Sequence, residues 1–501
     1  MIERKDVQNR QDTKWPPRAV VWTGFNALSQ IGTRFAAMAA LSWLLPPSDF
    51  GQFNIAFSIA IILATVAQLG IPTNLICLDG IDDKSLAAAA LLAAVSSVIV
   101  AGAYLASVWM LFSESGVSIS QVLYLFAPYV VLQVFINLLE ALSRRTFAFK
   151  ALAFCELTAT VVGNLVLAIV LAYQGWGVLS LVAGQFASAS LQCIGLLYIC
   201  RDFVGLRTNA SELRRLASAG FSITIAEAAN IATVHVQRPL VGIQLGAAAA
   251  GLWGRFYQII SIQLTCLVQP MDKLLLPALT RRWSDVAKTR EIMLLAIEAV
   301  SLLTIPISII TAFASAFVIP IAFGPAWNGL ILPMQIASIT FFFRGVDRIL
   351  LSSARATGHM RSRAVAQLVQ LAMVLVAIPM AAYFGLTAVA AAYVGVQVLS
   401  LVMMIALFCS GTKTPFRHVV VRMVPGFILG AASLALGLML MTAADALITW
   451  GAVAATMLSA VTCVFVAVAV RYLPLSPSMR EIVRKSIAGV DRSYRLSRRS
   501  S

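Results

Sequence analysis

Long apolar runs recur from one end of the chain to the other, and each is long enough to cross a bilayer as an α-helix. They predict an all-α polytopic membrane protein with fourteen transmembrane helices. The predicted spans have the approximate limits 19–45, 50–78, 86–112, 120–142, 151–173, 177–200, 217–245, 250–272, 291–313, 326–351, 364–384, 387–410, 419–442 and 446–470. The pattern is least regular at 291–351, where several prolines interrupt the apolar residues.

The composition also indicates a membrane protein. The chain is 60% hydrophobic and only 12% charged, which excludes a disordered chain and an ordinary soluble domain. Its net charge of +16 would suggest nucleic acid in a soluble protein. Here the basic residues lie in short connectors between apolar runs, so we interpret the charge as a topology signal and expect no nucleic-acid partner.

The positions of Lys and Arg predict the orientation of the spans. With the N-terminal tail in the cytoplasm and strict alternation, every Lys and Arg outside the spans falls on the inner side. The outer connectors, such as 46–49, 113–118 and 173–177, contain neither residue. A miscounted span would reverse this bias for every downstream connector. The unbroken alternation therefore favours fourteen spans with both termini in the cytoplasm.

A weak internal repeat suggests that a six-span unit is duplicated. Residues 49–59 (DFGQFNIAFSI) align with residues 249–259 (AAGLWGRFYQI) at a shift of 200 residues, so that Phe57 meets Tyr257. Spans 1–6 and 7–12 would then be parallel repeats. The predicted parts are a cytoplasmic N-terminal tail, an N-lobe, a C-lobe, two appended spans and a basic cytoplasmic C-terminal tail. Their limits are 1–18, 19–200, 217–410, 419–470 and 471–501, respectively.

Two stretches of the sequence resemble a known transporter family. Residues 24–76 carry an aromatic-Gly turn after span 1 and the pair Leu69-Gly70 near the end of span 2. Residues 220–259, together with PALTRRWSD at 277–285, are similar to the opening of that family's second lobe. Over most of residues 20–410, the chain resembles the polysaccharide transporters, which are Wzx-type flippases of the multidrug/oligosaccharidyl-lipid/polysaccharide (MOP) exporter superfamily.

The resemblance implies a fold and a function. The fold would be a V shape of two six-helix lobes around a central cavity, with two extra C-terminal helices. The function would be to move an undecaprenyl-pyrophosphate-linked oligosaccharide across the bacterial inner membrane by alternating access, for exopolysaccharide or O-antigen synthesis. Membrane lipids would surround the protein, and a polysaccharide polymerase and co-polymerase could be its partners. The chain would need no cofactor.

Other functions are weighed by what they would require of the sequence. A small-molecule exporter of the same superfamily that handles cationic drugs should favour acidic cavity residues, whereas five arginines lie within the spans, not counting Arg422, which belongs to the inner connector 411–422. A lipid II flippase remains an open alternative. A membrane glycosyltransferase or polymerase needs catalytic carboxylates or a large outer loop, and the sequence has neither. We therefore expect a transporter and not an enzyme.

The span at 217–245 is the leading candidate for a transport site, because it is unusually polar. Lipid tails cannot solvate such side chains, so they should face protein or water. The polar residues, followed by a proline, are Glu227, Asn230, His235, Gln237, Arg238 and Pro239. The proline should break the helical hydrogen-bond ladder and let the span bend.

Five arginines within spans are candidate substrate-binding cations, and they are Arg34, Arg238, Arg344, Arg255 and Arg348. Charges within a membrane are costly and usually face a cavity, and arginine can bind phosphate oxygens through two parallel hydrogen bonds. We hypothesise that the first three form a staggered lining for the pyrophosphate. Local pairing is the alternative, for example of Arg238 with Glu227 or of Arg344 with Asp347. Arg255 could also snorkel to the outer interface.

The acidic residues within spans are candidates for ion coupling. Glu227 is the deepest, and it is the candidate coupling residue. Glu140 and Glu156 lie near inner ends, where neighbouring basic residues such as Arg144 could pair with them. The chain has no CxxC, HExxH or GxxxxGK[ST] motif, so neither a metal site nor ATP drive by this subunit is supported.

Overall fold

The computed structural model is built from helices throughout the residues that it describes, which are 17–77, 83–112, 118–145, 149–201, 209–271, 275, 286–356 and 360–445. The N-terminal residues 1–16, the fourteenth predicted span and the predicted C-terminal tail lie outside these ranges. The chain divides into two compact units, residues 1–254 and 255–501. The predicted lobe limits, 19–200 and 217–410, remain a prediction.

The first unit contains ten helices in its described part and the beginning of an eleventh. They are α1 (Pro17–Leu44), α2 (Pro47–Ala67), α3 (Ile71–Cys77), α4 (Asp83–Phe112), α5 (Ser118–Leu125), α6 (Ala127–Arg145), α7 (Phe149–Ala159), α8 (Ala168–Tyr173), α9 (Val178–Cys200), α10 (Ala210–His235) and α11 (Gln237–Gln263). A π-helical segment, Thr160–Leu167, joins α7 to α8. Buried aliphatic residues and Phe126 form the core of this unit.

The second unit begins within α11 and continues through a π-helical segment, Leu264–Val268. Its remaining described helices are α12 (Val286–Phe323), α13 (Ile331–Ala337), α14 (Thr340–Ala356), α15 (Met360–Ala382), α16 (Leu386–Thr412) and α17 (Phe416–Asp445). A single 3₁₀ segment, Pro325–Leu330, precedes α13. Helices suit a bilayer because each one satisfies its backbone hydrogen bonds internally.

The helices fall where the apolar runs predict spans. Among the described residues, nine helices are long and apolar enough to cross a membrane, or ten if the bent pair Pro325–Ala337 and Thr340–Leu351 forms one span. The count of fourteen remains a prediction. In the proline-rich region, α12 extends to Phe323, ten residues past the predicted end, because Pro306 and Pro320 lie inside the helix without ending it.

Two glycines make reciprocal close contacts that match the internal repeat. A Cβ at Gly51 would overlap the carbonyl of Ala247, and a Cβ at Gly251 would overlap the carbonyl of Pro47. The two contacts are equivalent under the predicted shift of 200 residues, which relates Gly51 to Gly251 and Pro47 to Ala247. Small residues allow helix backbones to approach this closely. The contacts therefore support the register that the sequence repeat predicts.

α17 packs on α12 within the second unit. Arg422 of α17 and Glu298 of α12 form an ion pair at 2.8 Å, and the carboxylate is almost fully buried. Farther along α17, a Cβ at Gly426 would come within 3.0 Å of backbone atoms of Ser301. A buried ion pair and close backbone packing thus join predicted span 13 to predicted span 9.

Candidate substrate-binding site

Arg238 lies at the junction between α10 and α11, in the polar stretch that the sequence selects. α10 ends at His235, and α11 begins at Gln237. Pro239 accounts for the junction, because it has no N–H to donate to the carbonyl of His235 four residues earlier. The predicted break in the helical hydrogen-bond ladder is therefore present.

Gln237 stabilises this junction. Its Nε2 donates to the carbonyl of Thr233 at 2.9 Å, and its Oε1 accepts a hydrogen bond from Trp253 Nε1 at 3.3 Å. Both Gln237 and Trp253 are fully buried. The carbonyls in the last turn of a helix need partners outside the ladder, and the amide supplies one. Gln237 is therefore explained by the local structure.

Arg238 is positioned by α2 and by the end of α10. Its Nη1 donates to Ser58 Oγ at 3.3 Å and lies 3.2 Å from His235 Nδ1. Because a guanidinium nitrogen only donates, this second bond requires an unprotonated Nδ1 and leaves the imidazole proton on Nε2. The side chain is half-buried. The side chain is therefore partly exposed, and the two neighbouring residues fix the orientation of its guanidinium.

Glu227 bonds to a helix that begins at a backbone break. Thr73 Oγ1 donates to Glu227 Oε1 at 2.6 Å. Thr73 lies in α3, which follows Leu69 and Gly70, both of which have positive φ. The sequence places Glu227 and Arg238 in one span, and the structure places them on successive helices with different partners. The Thr73 contact is not visible from the sequence, because the two residues are 154 positions apart.

A stripe of hydrogen-bonding side chains on α6, which the sequence analysis missed, lies in the same unit. Tyr129 Oη donates to Gln133 Oε1 at 2.8 Å, and Gln133 Nε2 donates to Asn137 Oδ1 at 2.9 Å. From α9, Gln185 Nε2 donates to Tyr129 Oη at 3.0 Å. The spacing of four residues puts the three α6 side chains on one face. That spacing, inside an apolar run, is the signal that could have found them.

Arg344 is the candidate cation of the second unit. Its guanidinium carbon lies 5.2 Å from the centre of the Tyr257 ring, a cation–π distance. Tyr257 Oη donates to Tyr393 Oη at 2.7 Å, and Gln397 Nε2 donates to the same Tyr393 oxygen at 2.5 Å. Gln370 Nε2 in turn donates to Gln397 Oε1 at 2.9 Å. A half-buried cation therefore lies beside a continuous polar network.

The other three arginines have different environments. Arg34 is exposed on α1, and Arg348 is half-buried one turn after Arg344. Arg255 is only 3% exposed and lies 4.7 Å from the centre of the Trp327 ring. It therefore does not snorkel, contrary to one expectation, because aromatic rings of its own unit enclose it.

The remaining acidic candidates have close polar partners. Glu140 pairs with Arg144 at 2.7 Å, as the sequence predicts, and also accepts from Gln192 at 2.8 Å. Glu156 accepts from Gln30 Nε2 at 3.3 Å. Among the described residues, no group of three or more His, Cys, Asp or Glu side chains is placed to hold a metal ion.

Comparisons with solved structures identify the fold. A lipid II flippase, MurJ, in an inward closed conformation matches with a TM-score of 0.67 at 12% identity, over 89% of this chain and 98% of that one. An inward-facing multidrug resistance MATE family transporter of the MOP superfamily matches with a TM-score of 0.62 at 13% identity, over 80% of this chain and 98% of that one. At these identities the likeness establishes the fold, that of multi-pass MOP transporters.

Comparisons of sequence identify the family. The succinoglycan biosynthesis transport protein ExoT of Rhizobium meliloti (strain 1021) is 22% identical over 324 residues, which are 63% of this chain and 64% of that protein. The match thus spans somewhat less than two thirds of the relative's length. The sequence model of a family described as "Polysaccharide biosynthesis protein" matches residues 40–332. The chain therefore belongs to the polysaccharide biosynthesis protein family and has the fold of the MOP superfamily.

Proposed function

We propose that this protein is a flippase that moves an undecaprenyl-pyrophosphate-linked oligosaccharide from the cytoplasmic to the periplasmic leaflet of a bacterial inner membrane. It works by alternating access, supplies exopolysaccharide or O-antigen synthesis, and has both termini in the cytoplasm. Membership of a polysaccharide biosynthesis family supports the substrate class, and the transport role of the succinoglycan relative supports export over catalysis.

The observation that carries the proposal is the half-buried side chain of Arg238, whose guanidinium is oriented by Ser58 and His235. A pyrophosphate is a dense anion that needs a fixed cation while it leaves the headgroup region. Arginine keeps its charge in an apolar environment and presents a planar fork of donors to phosphate oxygens. Ser58 and His235 fix the direction of that fork in advance, which lowers the entropic cost of binding.

The other candidate arginines differ in how far they are exposed within their own units. Arg34, which is exposed, and Arg344, which is half-buried, are available to a phosphate at other stages of transport. Arg348 is a further half-buried candidate. Arg255 is enclosed by aromatic rings, so we assign it a structural part in the second unit and no direct contact with substrate.

Coupling is assigned to Glu227. Protonation would neutralise the carboxylate that accepts the hydrogen bond from Thr73. It would thereby alter the link between α10 and the short helix α3. If protonation is more favourable in one conformation of the transporter than in the other, it shifts the equilibrium between the two conformations. This is how a proton or another cation could drive transport through this residue.

The proposal is tested with the purified protein in proteoliposomes. The lipid-linked oligosaccharide that accumulates in the native strain after deletion of the transporter gene is placed in one leaflet, and its appearance in the other is followed with a membrane-impermeant sugar-modifying enzyme. Protein-dependent transfer is expected for this lipid and not for lipid II. Transfer of lipid II alone would identify the lipid II flippase alternative, and transfer of neither lipid would reject a flippase function.

A further inference from the structure

The stripe of Tyr129, Gln133 and Asn137 on α6 has hydrogen-bonding capacity beyond the bonds within it. The chain of bonds uses one amide hydrogen of Gln133 and the carbonyl oxygen of Asn137. Each amide carries two donor hydrogens, so a second hydrogen of Gln133 and the NH₂ group of Asn137 remain for other acceptors. Gln133 and Asn137 are both half-buried, so protein does not fully enclose either side chain.

Aromatic rings flank the N-terminal end of this stripe, at Tyr129. The ring of Tyr129 lies 5.8 Å from that of Phe57 and 5.7 Å from that of Phe186, measured between centres. Phe57 and Phe186 are half-buried, whereas Tyr129 is buried. The site therefore combines partly exposed aromatic side chains with amide donors that the stripe itself does not use. A pyranose presents the same two surfaces, an apolar C–H face and a rim of hydroxyl groups.

The stripe also adjoins the proposed phosphate-binding residue. Phe57 precedes Ser58, the residue that accepts a hydrogen bond from Arg238. The ring of Phe57 also lies 6.3 Å from that of His235, the other partner of Arg238. A sugar attached directly to a pyrophosphate held by Arg238 would thus have the aromatic and amide side chains beside it.

We propose that Phe57, Tyr129, Gln133, Asn137 and Gln185 form a saccharide subsite that recognises the first sugars of the lipid-linked oligosaccharide. This inference rests on the proposed function. If the stripe only joined helices, its amide hydrogens would be used in bonds between the helices, and none would remain for other acceptors. The subsite gives preference for a glycosylated carrier over the bare carrier lipid, and leaves the pyrophosphate contact to arginine.

Equilibrium binding by the full-length protein in lipid nanodiscs tests this division of roles. The two probes are undecaprenyl pyrophosphate and the lipid-linked oligosaccharide accumulated by the native strain lacking the transporter. Wild-type protein should bind the oligosaccharide form about tenfold more tightly, as one or two additional neutral hydrogen bonds would give. Gln133→Leu should abolish that margin without weakening the binding of bare carrier. Gln121→Leu, at an exposed position of α5, is the matched control.

A second variant covers the case in which Gln133→Leu fails to fold. Asn137→Ala removes only the last side chain of the stripe and should also reduce the margin several-fold. The subsite would be overturned if folded Gln133→Leu kept the full margin or, where that variant does not fold, if Asn137→Ala kept it. Equal binding of both probes by wild-type protein would also overturn it. Both of those results leave the flippase proposal standing. Binding of neither probe by wild-type protein would overturn the flippase proposal and the subsite together.

Discussion

The hydroxyl of Thr73 donates to the carboxylate of Glu227 at 2.6 Å, and this bond ties α10 to a short helix that starts at a backbone break. Thr73→Val should therefore loosen α3 while leaving the carboxylate in place. Cysteine-labelling rates at positions in α3 would report the loosening as faster modification in Thr73→Val than in wild type. Equal rates would mean that the bond does not hold α3.

Glu227→Gln should change the pH or cation dependence of transport. The amide can still accept a hydrogen bond from Thr73, but it cannot take up or release a proton. Transport would be measured in proteoliposomes across a pH series and with different monovalent cations. Glu291→Gln, at an exposed position of α12, is the matched control and should keep the wild-type profile. A wild-type profile for Glu227→Gln at normal protein levels would remove Glu227 from the coupling mechanism.

Arg238→Ala should reduce polymer export at least tenfold, because the phosphate loses a charge-assisted contact of about 1.5–3 kcal/mol. Arg238→Lys should restore only part of the activity, since lysine keeps the charge and lacks the fork. Export would be quantified as secreted polysaccharide, with membrane levels of each variant checked by immunoblot. Arg417→Ala, an exposed arginine at the start of α17, is the control. Normal export by Arg238→Ala would reject the proposed role.

Breaking the ion pair between Glu298 and Arg422 should destabilise the second unit. Removal of one partner of a buried pair leaves the other charge uncompensated, at a cost of about 3–5 kcal/mol. Arg422→Ala should lower the thermal unfolding temperature in detergent more than Glu298→Ala, because it leaves an almost fully buried carboxylate without its partner, whereas Arg422 is partly exposed to solvent. The double variant should recover part of the loss, and simple additivity of the two effects would show that the pair is not coupled.

Gly51→Ala should reduce the yield of folded protein, because its new Cβ would overlap the carbonyl of Ala247. Overpacking of this kind costs about 1–3 kcal/mol. Gly102→Ala is a matched control, since a Cβ at Gly102 meets no atom within 4 Å. Size-exclusion profiles of the two variants in detergent would separate these outcomes. Similar monodisperse yields would indicate that the backbones can move apart at Gly51.

The sequence predicted those features that the bilayer or the backbone imposes. Apolar runs marked the helices, because a lipid-facing segment must be apolar and must satisfy its own backbone. Pro239 marked the α10–α11 junction through its missing N–H, and the weak repeat predicted the 200-residue register that relates the close contacts of Gly51 and Gly251. These features can be read locally, or from a fixed shift along the chain.

Features that depend on tertiary contacts were not predicted. The enclosure of Arg255 depends on Trp327, which is distant in sequence, so the arginine was expected at the membrane interface. The polar stripe on α6 was hidden within an apolar run, because Gln133 and Asn137 are only two amides among many hydrophobic residues. The extension of α12 beyond residue 313 and through Pro320 reflects the tolerance of prolines in membrane helices, where neighbouring groups satisfy the freed carbonyls.

The π-helical segment Thr160–Leu167 determines how homologues of this chain can tolerate a deletion between α7 and α8. Such segments accommodate one more residue than an α-helix does over the same turn. A single deletion there would therefore leave a regular α-helix, and α7 and α8 would keep their relative rotation. The close contact between Gly163 and Gly184 of α9 would therefore be kept. A homologue with one residue fewer at this point would therefore need no compensating change in α9.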